Sequence, residues 1–135
     1  QDEIPQWQRL LANFPVAGKR LIEAISQAEQ SSELSKTLQQ QINWVVARQD
    51  RAWYLASLAK EQLQAAGASD AVLSALDGDL EQTSSQLSDR DRSLLLVAKN
   101  LAASPIVLTD AEVAAAVQAA GPKAVVQTIN YTAYR

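Results

Sequence analysis

Apolar residues return along this chain at helical intervals almost from end to end, and no stretch alternates apolar with polar for long enough to make a strand. Leu34, Leu38, Ile42, Val45 and Val46 fall at successive one-turn steps and predict an amphipathic helix. Gln40, Trp44 and Ala47 form a narrower, more mixed face on the same helix, so it is expected to be sandwiched between neighbours. A further helix runs through Trp53 and Tyr54 to a stop at Gly67, with Asp50 expected to cap its start.

The same pattern continues on both sides. Ile4 to Phe14 carries Trp7, Leu10, Leu11 and Phe14 at helical spacing, and Val16 to Ala28 repeats it with Leu21, Ile22 and Ile25 after Pro15. The polar run "SQAEQSSELS" reads as a helix end and loop. Ser69 and Asp70 open a short helix that stops at Gly78, and "DLEQTSSQLS" beyond it reads as a polar surface loop. Ser88 with Asp91, and Thr109 with Glu112, are capping arrangements ahead of two apolar runs. Pro122 begins the last helix, with Val125, Val126, Ile129 and Tyr131. The expectation is an all-α fold of about six to seven helices in one domain spanning 1–135, with N-terminal helices over 1–33 and a core over 34–135.

Composition narrows the chemistry. At 135 residues, 47% of them apolar, the chain is long enough for one sizeable core. Its 12 Lys and Arg against 15 Asp and Glu are scattered, which argues against nucleic acid as a partner. No apolar run approaches the roughly 20 residues needed to span a bilayer, so a soluble chain is expected. The chain opens at Gln1, and both an exported protein that has lost a leader and a cytoplasmic one fit that start. There is no Cys, no Met and no His. Thiolate nucleophiles, disulfides, imidazole bases, haem ligation by these residues and almost every zinc site are thereby excluded, and no cofactor or metal is expected.

The stretches "LSKTLQQQINWVVARQ", "DRAWYLASLAKEQLQAAGASD", "LSDRDRSLLLVAKNLAASPIVLTDAEVAAAV" and "AVVQTINYTAYR", in that order, resemble the alkylhydroperoxidase-D-like and carboxymuconolactone decarboxylase-like superfamily. The resemblance covers about 34–135 and implies that fold, a peroxidase-family label and a homo-oligomer, trimer or hexamer. In redox-active members a helix carries Cys-x-x-Cys, then His four residues later, with a Glu twelve residues before the first Cys. Counted back from Gly67, those positions fall on Ala52, Leu55, Ala59 and Gln40, and a further histidine of some members falls on Tyr54. None of the chemical groups is retained.

Peroxide reduction needs an attacking and a resolving thiol, so this resemblance implies a non-catalytic relative. Ala52, Leu55 and Ala59 lie on one helical stripe that continues through Leu63 and Ala66, and a continuous packing surface is expected there. The decarboxylase branch does not require cysteine. It calls for an anion-holding cation and a proton donor, for which Arg48, Arg51 and Tyr54, with Gln40 as a polarising amide, are the alternative candidates. An Arg near a helix junction is more often solvated or ion-paired than catalytic. Trp44, Trp53 and Tyr54 suggest ligand stacking, yet aromatics at helical spacing more often serve a core or an interface, and they are the interface candidates for a second copy or a protein partner. The alternating "DRDR" run is assigned to a helix start, with no chemistry.

Overall fold

The computed structural model describes residues 9–78, 80 and 86–133. Every element among them is helical, as the apolar periodicity predicts: seven α-helices and one 3-10 turn. The chain divides into two compact units, Gln1–Ser32 and Glu33–Arg135.

In the first unit a 3-10 turn, Leu11–Asn13, leads into α1 (Pro15–Gln30), with Pro15 at the helix start where its missing N–H costs nothing. The expected helix over Ile4 to Phe14 falls mostly outside the described residues; Arg9 and Leu10 are helical and the 3-10 turn follows. The turn crosses α1 at Gly18, where a Cβ would stand 2.6 Å from the Leu11 carbonyl oxygen, so the close approach requires glycine. Helix α1 continues to Gln30, beyond the expected end at Ala28, because Gln and Glu are good helix formers. Gly18 is its one buried residue, while Phe14, Val16 and Leu21 are exposed.

The second unit holds α2 (Lys36–Gln49), α3 (Trp53–Ala65), α4 (Asp70–Asp77), α5 (Asp89–Ala102), α6 (Asp110–Ala120) and α7 (Pro122–Ala133). Helix α2 is the centre: it packs against α3, α4, α5 and α7, and α5 in turn packs against α6 and α7. Eight of its residues are buried, among them Leu38, Ile42, Val45 and Val46 on one face and Trp44 and Ala47 on the other, so the expected sandwich is realised. The core closes around Leu38, Ile42, Leu63, Leu94, Leu95, Val97 and Thr128. Each fully buried aliphatic side chain there contributes about 1.5–3 kcal/mol.

Local chemistry starts each helix. Ser35 accepts the Leu38 N–H at 3.1 Å, and Ser88 accepts that of Asp91 at 3.1 Å. Thr109 and Glu112 form a complete capping box, and the other Glu112 oxygen accepts the Asn100 amide at 2.6 Å, tying the start of α6 to α5. The segment read as a polar surface loop after Gly78 differs in part. Residues 79 and 81–85 lie outside the described residues, but Leu80 and Leu87 are buried in the core. Leu80 and Leu87 stand seven positions apart with only polar residues between them, too few apolar positions to establish a period, which is why the pattern hides them.

Candidate functional site

The corner between α2 and α3 gathers the candidate residues, and its backbone explains their positions. After Gln49 the chain closes a Schellman motif: the Ala52 N–H donates to the Ala47 carbonyl at 2.8 Å and the Arg51 N–H to the Arg48 carbonyl at 3.2 Å. The residue between must adopt a left-handed conformation, and here it is Arg51, with φ 57. Asp50 is the residue that ends α2, not the cap of α3. The expected cap fails because the turn spends two further residues before α3 begins. Ala52 occupies the N-cap with no side-chain hydrogen bond.

Arg48 is the pivot of the corner. Its guanidinium lies 5.5 Å from the Trp44 ring centre and 5.6 Å from that of Trp53, joining α2 to α3 through two cation–π contacts. Its Nε is 3.2 Å from Asp77 Oδ1 at the end of α4. Arg48 and Asp77, with Val45, Gln49, Leu76 and Lys99, line an open groove of about 190 Å³. Lys99 forms no ion pair among the described residues.

The field in this groove is balanced. It lies at the last turns of α2, α4 and α5, and each helix C-terminus carries roughly −0.5 of an elementary charge. Together with the Asp77 carboxylate they offset the two cations, which leaves little attraction for an added anion. The apolar periodicity does not distinguish Asp77 or Lys99 from other surface charges. The available signal was a carboxylate in the last turn of a helix, where its own helix dipole disfavours it and a cation is required nearby.

The groove takes in Arg48 and none of Arg51, Tyr54 and Gln40. Gln40 sits eight residues before Arg48, about 12 Å along the helix, and its Oε1 accepts the Asn43 amide at 3.2 Å. Arg51 and Tyr54 are exposed. Of the aromatic candidates, Trp44 is buried, with its indole N–H finding no acceptor among the described residues, whereas Trp53 and Tyr54 are 58% and 55% exposed.

The stripe Ala52, Leu55, Ala59, Leu63 and Ala66 does not form the continuous packing surface expected of it. Ala59 and Leu63 are buried, Ala52 is half-buried against the core, but Leu55 is 40% exposed and Ala66 is exposed. The buried line of α3 is Ala56, Ala59 and Leu63. Leu55 lies 100° away from Ala56 around the helix, so the true inner face departs from the expected stripe in the first turn.

The class defined by this architecture is an all-helical bundle, with no helix among the described residues long and apolar enough to cross a membrane. Neither the protein-family models nor the curated proteins nor the solved structures contain a match to the chain.

Proposed function

We propose that the chain is a non-catalytic helical protein of alkylhydroperoxidase-D-like type, acting as an oligomeric structural or accessory subunit. The observation that carries this reading is the burial of Ala59 at 2% exposure beside fully buried Leu63. The helix face where the resemblance calls for an imidazole is committed to packing, and a methyl group fills the place of a proton carrier.

Two measurements test the two halves of the reading. Incubated with a hydroperoxide and a dithiol reductant, the purified chain is expected to consume peroxide no faster than the reductant alone. Faster consumption overturns the non-catalytic half. Light scattering is expected to give a mass that is a multiple of the chain's 14.6 kDa, and a monomer at every concentration overturns the subunit half.

A cysteine-independent decarboxylase-like enzyme is the second reading, favoured by Arg48 and Lys99 sharing one groove. It ranks below the first because Arg48 already holds Asp77 and the proposed proton donor Tyr54 does not line that groove. Depletion of a lactone carboxylate by the wild-type chain, lost in Arg48→Ala, would reverse the order.

A further inference from the structure

The corner that precedes α3 carries more exposed apolar surface than the fold around it uses. Trp53, Tyr54 and Leu55 are consecutive, all in the first turn of α3, and 58%, 55% and 40% exposed. Among the described residues, the one helix against which α3 packs extensively is α2. Trp53 is also held in place, because Arg48 stands over its ring and is itself tied to Asp77. An exposed indole fixed in advance loses little freedom on docking, and Trp, Tyr and Arg are the residues that most often dominate binding energy.

Charge identifies the occupant. Ahead of the aromatic turn, with Ala52 between, stand Asp50 and Arg51, both exposed, neither in an ion pair among the described residues. Asp50 ends α2 without capping α3, and Arg51, exposed, occupies the left-handed turn position. An adjacent carboxylate and guanidinium make a surface that is complementary to itself. Around a two-fold axis, Asp50 of one copy meets Arg51 of the other, and the reverse contact forms symmetrically. Arg48 behind Trp53 is paired with Asp77, so the charges of the corner balance: Arg48 and Arg51 against Asp50 and Asp77. A self-pairing surface needs that neutrality, since like charges would otherwise face each other.

We propose that the corner Asp50–Leu55 docks on the same corner of a second copy of this chain across a two-fold axis, with Trp53, Tyr54 and Leu55 at its centre. This rests on the oligomeric half of the proposed function and specifies the contact.

The test uses two charge variants of the full chain. Asp50→Arg places two cations together, and Arg51→Asp places two carboxylates together; Asp suits both the αL position and the folded corner. Each variant alone is expected to self-associate at least about tenfold more weakly than wild type, with unchanged helical circular dichroism. Mixed in equal amounts, the two are expected to recover a paired species, because each supplies the charges the other lacks. Tyr54→Ala with Leu55→Ala is expected to weaken association at both low and high salt. An oligomeric wild type whose mass survives all these changes overturns this contact and leaves the oligomeric reading standing. A mass of three chains also overturns it, since a three-fold ring contains no two-fold contact, whereas a mass of two chains supports it. A monomeric wild type overturns both.

Discussion

Two corners of the second unit close with the same backbone motif and different residues. At the end of α3, Ala68 donates to the Leu63 carbonyl at 2.9 Å and Gly67 to the Gln64 carbonyl at 3.0 Å, with Gly67 at φ +89. At the end of α2 the same pair of bonds forms around Arg51 at φ 57. Glycine takes that conformation freely, while a residue with a Cβ pays about 1 kcal/mol or more for it. The Gly67 corner is thus held by its backbone preference. The Arg51 corner is held by what surrounds it: Arg48 pinned between Trp44 and Trp53, and Asp77 behind. A left-handed residue with a Cβ persists where the surrounding structure over-determines it, which the contacts of Arg48 do at this corner.

The largest expected effect separates the two corners by their inner anchors. Leu63, which accepts the closing bond at the glycine corner, is fully buried, and Leu63→Ala is expected to cost about 2–5 kcal/mol in denaturant unfolding. The matching residue at the arginine corner is Ala47, where Ala47→Gly removes only one methyl group and costs about 1 kcal/mol. Equal losses at the two positions would mean that the small Ala47 side chain anchors the arginine corner by packing as firmly as Leu63 anchors the glycine corner.

This asymmetry also explains what was legible in the sequence. Gly67 announces its turn because glycine at a helix end is the common solution. Ser88 and the Thr109–Glu112 box announce theirs for an equally local reason, a side-chain oxygen within reach of an unpaired N–H. Arg51 announces nothing, and Asp50 beside it points to the wrong role, since the turn is set by packing across α2 and α3 and not by either side chain. The groove residues Asp77 and Lys99 were hidden for a related reason: they are 22 positions apart, and only the fold brings both to α2.

A middle-sized pair of substitutions tests the backbone argument through opposite signs. Gly67→Ala meets no atom within 4 Å, so its cost is purely conformational and is expected to be about 1 kcal/mol. Arg51→Gly releases the same strain and is expected to stabilise the chain by up to about 1 kcal/mol, less the entropy that glycine adds to the unfolded state. Thermal unfolding at low protein concentration reads both without contribution from self-association. If Arg51→Gly is destabilising there, the arginine side chain supports its own protomer, and the assignment of its charge to a second copy loses its basis.

The smallest effect is the most informative about the groove. Asp77 and Arg48 are 39% and 45% exposed, a degree of solvation at which an ion pair is worth about 0–1 kcal/mol. Asp77 also ends α4, where its charge opposes the helix dipole, so Asp77→Asn removes an attraction and a repulsion together. Its net effect on stability is expected to lie within about 0.5 kcal/mol and to shrink further at high salt. Arg48→Ala differs because it also removes two cation–π contacts, each worth about 0.5–1 kcal/mol, and it is expected to change tryptophan fluorescence. A small loss from Asp77→Asn beside a larger one from Arg48→Ala would place the strength of this corner in its stacked rings. The reverse ranking would make the ion pair dominant, and the groove would then be a charged site in which the dipoles of three helix ends fail to cancel the cations.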